Sequence, residues 1–176
     1  MATQLEPRER LSPALLDRLT DDSPGERLEA ETQRVMNKAQ LRQAVLRDLS
    51  WLFNATQPPA DIAETYPALA GSVLNFGLPA LSGKLASKVD ISEIERAIRD
   101  CILRFEPRLL EESLQVRALD ATSVLDTHNM IEFEIIGHLW AQPVPLEILL
   151  RTRLDLEAGL VEVRDSGASV PVRAKL

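Results

Sequence analysis

The side chains that could do chemistry in this chain are few and widely spaced. His128 and His138 have no second ligand at HxxxH or HxH spacing, so surface imidazoles are expected rather than a metal site. GxSxG, GxxxxGK and GxGxxG are all missing. Nucleophilic catalysis and nucleotide binding therefore have no support, and no cofactor is expected. Carboxylates are plentiful, and Glu26, Glu29 and Glu31 could be imagined as the acid pair of a glycoside hydrolase, one proton donor of raised pKa facing one ionised partner. Acidic residues in a first helical turn, however, complement the helix dipole and remain solvated. Sugar clefts also use aromatic platforms, and the chain holds two Trp, one Tyr and four Phe. A muramidase stands as the alternative reading; the leading expectation is a protein that is not an enzyme, with no catalytic residue.

Three further features remain. Cys101, the one cysteine, lies beside an apolar helical stripe and is expected to be a buried, inert thiol. Trp51 and Trp140 are expected in the core or at its rim rather than as dedicated binding anchors. The tripeptide Glu106-Pro107-Arg108 has two readings. It is either a helix stop flanked by a surface ion pair worth under about 1 kcal/mol, or a rigid corner. In the second case proline fixes the backbone, and an acid and a planar guanidinium are held at a helix-to-strand junction for a partner's helix ends or carboxylates. Local chemistry alone favours the helix stop.

The elements that carry these residues follow from periodicity. Residues 1–27 read as an arm with one short helix, Ser12 capping it, Pro13 opening it and Leu15, Leu16 and Leu19 forming a patch too small for a core of its own. From about Glu26 to Asn54 nothing breaks a helix, and Leu41, Val45, Leu49 and Leu52 share one face until Pro58-Pro59. Ala60 to Val89 reads as an apolar loop packed over the fold. Ile91, Ile94, Ile98, Ile102 and Phe105 mark a second helix, capped by Asp90 with Glu93 answering in a capping box, and stopped by Pro107. After Pro107 the period changes to 2: Leu114 to Ala118, Ile131 to Leu139, Leu146 to Leu156 and Val161 to Val163 read as strands with one wet face, and Glu157-Ala158-Gly159 as a hairpin loop. The expected fold is α+β, an antiparallel β-meander of about four strands packed against two main α-helices, with a short N-terminal helical arm. Residues 28–165 form its one domain. Residues 166–176, with Pro171, are a tail or an edge strand.

Composition limits the partners. A chain of 176 residues is of one-domain length and buries roughly 70% of its extended surface. The net charge of −7 offers no field toward phosphate polymers or anionic lipid, so nucleic acid is not expected. No apolar stretch approaches the roughly 18–20 residues that cross a bilayer, so direct membrane insertion is not expected either. The lone cysteine fits a reducing compartment, and the N-terminus lacks an apolar signal region. A cytoplasmic location is expected.

The order of four segments is more specific than any one of them: Leu11-Ser12-Pro13 with Leu16-Asp17-Arg18-Leu19; Leu46-Arg47-Asp48-Leu49-Ser50-Trp51-Leu52-Phe53-Asn54; Ser72-Val73-Leu74-Asn75-Phe76-Gly77-Leu78-Pro79; and Phe105-Glu106-Pro107-Arg108-Leu109. Together they resemble the TssE family of small type VI secretion baseplate subunits, which belong with the phage tail baseplate wedge proteins once labelled lysozyme-like. The resemblance runs from about Leu11 to Asp165. It implies a structural role without turnover, in a baseplate assembled at the inner membrane. It also implies that Glu106, Pro107 and Arg108 bind a partner, the core bundle of the wedge proteins TssF and TssG, which reverses the reading favoured by local chemistry. TssK and other baseplate components would be further neighbours. The sheet would connect the baseplate to the TssB/TssC sheath and start its polymerisation, consistent with the strand-addition mode open to a free sheet edge.

Overall fold

The computed structural model describes residues 13–20, 25, 36–80, 90–119, 130–141 and 144–167. Its elements are α1 (Leu15–Leu19), α2 (Lys38–Asn54), α3 (Ala60–Thr65), α4 (Pro67–Ala70), α5 (Ile91–Phe105) and the strands β1 (Gln115–Ala118), β2 (Met130–Leu139), β3 (Leu146–Asp155) and β4 (Leu160–Asp165). The strands form one antiparallel sheet in the order β1-β2-β3-β4. This is the α+β meander that the change of period predicts.

Alternation places Ile131, Phe133, Ile135 and Leu139 of β2 and Ile148, Leu150 and Leu154 of β3 on the inner face, all buried. Against them lie Leu41, Val45, Leu49 and Leu52 of α2 and Ile94, Ile98 and Ile102 of α5, so both helical stripes meet the sheet in one core. The outer face is charged: Arg117 pairs with Glu134, Arg153 with Glu132 and Arg164 with Glu162. Gly159 closes the β3–β4 hairpin at φ 67, a conformation glycine adopts without a Cβ penalty.

Several boundaries differ from the sequence reading. The long helix begins at Lys38 rather than near Glu26: Asn37 accepts from the Gln40 amide and Gln40 Oε1 accepts from the Asn37 amide, a reciprocal capping box that fixes the start. The helix ends at Asn54, where the sequence reading puts it, but the stop is Ala55, which turns extended with its carbonyl accepting from Leu78 N–H, and not Pro58-Pro59. The short helix starts at Leu15, with Ala14 in the capping position and no side-chain cap bond. Ser12, Glu26, Glu29, Glu31, His128 and 168–176 lie outside the described residues. Asp90 caps α5, but through Ser92 N–H and Oγ rather than a reciprocal box with Glu93. The stretch expected as a loop contains α3, α4 and a 3₁₀ turn at Val73–Asn75. Its described part, to residue 80, is packed down only in part: Leu78 is buried and Phe76 meets Phe105 edge-on with centroids 5.3 Å apart, whereas Val73 and Leu74 face solvent. Residues 81–89 lie outside the described residues.

Cys101 is buried on α5, its Sγ 3.0 Å from the Gly77 carbonyl, and burial pushes the thiol up to about 12. Thiol-modifying reagents at pH 8 are therefore expected to leave the native chain unlabelled and to react fully in denaturant. Labelling at the unfolded rate under native conditions would contradict this burial.

Candidate functional site: an ionic corner

The turn after α5 is held from several sides. Glu106 N–H donates to the Ile102 carbonyl, Leu109 N–H to the Glu106 carbonyl, and Trp140 N–H to the Arg108 carbonyl at 2.7 Å. Leu110 N–H donates to the His138 carbonyl, and Leu109 bridges Leu139. The corner is thus pinned to the end of β2, and Pro107 protrudes exposed between two anchored neighbours.

The side chains add an ionic chain. Glu106 is buried at 3 % exposure, and its two carboxylate oxygens accept from Arg108: Nε to Oε1 at 2.6 Å and Nη2 to Oε2 at 2.5 Å. Arg108 N–H also donates to Oε1 at 3.2 Å. From Arg108 the chain continues through Nη2 to Asp48 Oδ2 at 2.6 Å on α2, from Asp48 Oδ1 to Arg47 Nε at 2.9 Å, and from Arg47 Nη1 to Asp17 Oδ1 at 2.5 Å on α1. The Arg47 guanidinium also lies over the Trp51 ring, 5.3 Å from its centroid.

Burial works against the charge of Arg108, but the hydrogen bonds and Coulombic attraction of Glu106, then of Asp48, outweigh it and hold the guanidinium above its ordinary pKa. Arg47 is shifted in the same direction: burial opposes its charge, and Asp17 and Asp48 prevail. Asp17 Oδ2 is buried without a hydrogen-bond partner among the described residues. Three carboxylates and two guanidiniums therefore share one partly buried cluster that ties α1, α2 and the corner together.

The three residues singled out from sequence now have separate positions. Glu106 faces inward and is consumed by Arg108, so it positions the guanidinium. Pro107 is exposed, and the Nη1 of Arg108 donates to no group among the described residues. Local sequence reasoning assigned no role to Asp17, Arg47 or Asp48, although all three lie within the segments that carried the family resemblance. Their signal is a pair of charges embedded in an apolar helix beside Leu46 and Leu49. Trp51 and Trp140 are both 54 % exposed and neither belongs to the core, contrary to the expectation of core or rim positions. His138 lies on the wet face, as the alternation predicts, with its amide bonded to Ser113 Oγ.

Among the described residues no three His, Cys, Asp or Glu side chains are grouped to hold a metal ion, and no helix is long and apolar enough to cross a membrane. The cluster's chemistry is that of a preorganised charged surface, with its arginine fixed in direction by a bidentate carboxylate.

Comparison with known families gives one match, to the family described as baseplate wedge protein gp25, over residues 39–144. That stretch contains α2 from its second residue, α3, α4, α5, β1, β2 and the turn at Glu106-Pro107-Arg108, and omits α1 with Asp17, β3 and β4. Comparisons with curated proteins and with solved structures returned no match. A match over more than half of the chain, on an α+β meander whose conspicuous site is a pinned ionic corner, leads to one conclusion: the chain belongs to the baseplate wedge protein gp25 family and is a component of a phage-tail-like baseplate.

Proposed function

We propose that this subunit serves the baseplate of a type VI secretion system, docking through the corner at Pro107 and Arg108 onto the helical bundle of TssF and TssG. From there it offers its open sheet edge to the TssB/TssC sheath and starts sheath polymerisation. TssK and other baseplate components lie beside it, in an assembly on the cytoplasmic side of the inner membrane. The subunit performs no turnover.

The observation that supports this reading is convergence. Asp17, Arg47-Asp48 and Glu106-Arg108 come from three distant segments, yet they form one chain of contacts that aims a single guanidinium from a proline-stiffened corner. Such an arrangement costs conformational freedom at the surface before any partner arrives, which favours association because less remains to be ordered on binding.

The test is co-expression with TssF and TssG followed by size-exclusion chromatography. The subunit is expected to co-elute with them, and to be absent from the wedge peak if the reading is wrong. The absence of turnover is checked separately by a peptidoglycan turbidity assay on the purified chain. No clearing is expected; clearing that disappears on substitution of a carboxylate would establish the muramidase alternative instead.

A further inference from the structure

The helices beneath the sheet treat its two edges in similar ways. On β1, the outward N–H of Ala118 donates to Glu95 Oε1 of α5 at 2.6 Å. On β4, the carboxamide of Asn54, the last residue of α2, donates from Nδ2 to the Val161 carbonyl at 2.8 Å and accepts from Val161 N–H at 3.0 Å. One side chain thereby makes both bonds that a neighbouring strand would make at that residue. Nδ2 also reaches the Ser50 carbonyl at 2.7 Å, which fixes the orientation of the amide.

Antiparallel pairing alternates residues bonded to the neighbour with residues turned to the edge. Ser166 N–H donates to the Leu149 carbonyl of β3, which places Ser166, Arg164 and Glu162 on the β3 side and turns Val161, Val163 and Asp165 outward. Val161 is occupied by Asn54. The outward backbone groups of Val163 and Asp165 bond to nothing among the described residues. On the outer face Arg164, which pairs with Glu162, lies directly across from Arg151; Arg151 has Glu134 of β2 opposite it on its other side and forms no ion pair among the described residues. An added strand gains from a carboxylate at that point.

We infer that Asn54 caps the first outward rung of β4, so that the edge accepts an extended segment of a sheath subunit across Val163 and Asp165 only, with an acidic side chain beside Arg164 and Arg151. The inference rests on the reading that this edge serves the sheath. Main-chain bonds supply the attachment. Asn54 sets the register: a slip of one residue turns the incoming side chains to the wrong face, and a slip of two toward Val161 meets an occupied rung.

Amide hydrogen exchange on the full chain tests the cap without any partner. The Val161 amide is expected to exchange about ten-fold more slowly than those of Val163 and Asp165. Asn54→Ala brings it to their rate, and Asn54→Asp, which keeps the acceptor, leaves most of the protection. Unchanged exchange across β2 shows that the variants are folded. Equal rates at the three amides in the unmodified chain overturn the cap. So do slow Val163 and Asp165 amides that become fast only when residues 168–176 are removed, since the chain's own end is then the occupant.

Co-assembly with TssB/TssC tests acceptance. Val163 and Asp165 should gain protection while Val161 stays unchanged, Asn54→Ala should extend the change to Val161, and Arg164→Glu should weaken assembly about ten-fold. A sheath complex that leaves Val163 and Asp165 unprotected overturns the edge assignment. If the sheath subunits do not bind at all, the sheath reading and strand acceptance both fail, while the isolated-chain pattern still decides the role of Asn54.

Discussion

Arg108→Ala is expected to remove the subunit from wedge complexes and to destabilise the isolated chain at the same time. It leaves the Glu106 carboxylate, 3 % exposed, without the two side-chain bonds it receives from Arg108, and with only the backbone N–H of residue 108 still donating to it. Loss of one partner from such a pair costs about 3 kcal/mol, which for a chain of this size lowers Tm by roughly 6–12 °C. A preorganised arginine at the centre of an interface is worth about 2 kcal/mol or more on truncation, about thirty-fold or more in affinity. The two effects are separable. In the double variant Glu106→Gln with Arg108→Met neither charge is left buried alone, so most of the stability should return while binding to TssF and TssG stays lost. Recovery of binding together with stability would mean that the guanidinium is not the contact, and that the corner only holds the fold.

The second large effect is expected from Gly77→Ala. Gly77 has φ 120, which L side chains rarely adopt, and a Cβ there would lie 2.3 Å from the Ala55 carbonyl oxygen. The obstruction is backbone, and it is not free to move. The Ala55 carbonyl accepts from Leu78 N–H at 2.9 Å, and Leu78 in turn accepts from Gln57 N–H at 2.8 Å. The Gly77 carbonyl itself receives Gln57 Nε2 at 2.7 Å and the Cys101 thiol. We expect a loss of about 3 kcal/mol or more, measured as a lower urea midpoint at unchanged slope. Because Ala55 follows Asn54 directly, the variant should also speed exchange at the Val161 amide. A midpoint within about 0.3 kcal/mol of the unmodified chain would show that the close approach is relieved at no cost.

Gly77 also shows how far local reasoning reaches. Its place between an apolar 3₁₀ turn and Pro79 marks a break in regular structure, and that much is visible in sequence. The carbonyl it must pass belongs to Ala55, and nothing near position 77 announces this. The start of α2 is a different case: Asn37 and Gln40 are a local capping signal in the sequence, and the sequence reading, led by the absence of any helix breaker upstream, does not use it. Val73 and Leu74 show a third. Apolar composition predicts burial, yet a short turn presents both to solvent, because three residues cannot turn all their side chains to one side.

By itself the sequence determined what depends on neighbours along the chain. The stripe Ile91 to Phe105 decides a helix, the alternation after Pro107 decides strands with one charged face, and Glu157-Ala158-Gly159 decides the hairpin between β3 and β4. These signals are legible because a helix repeats every 3.6 residues and a strand every two, so each residue's face follows from its spacing. The order of the motifs also carried the family. Only the tertiary structure decided that Glu106 turns inward, that Arg108 reaches Asp48 across 60 residues of chain, and that Asn54 seals one rung of β4. Charge pairs and edge caps are set by distances in space after the helices settle on the sheet, and the period of a sequence holds no record of those distances.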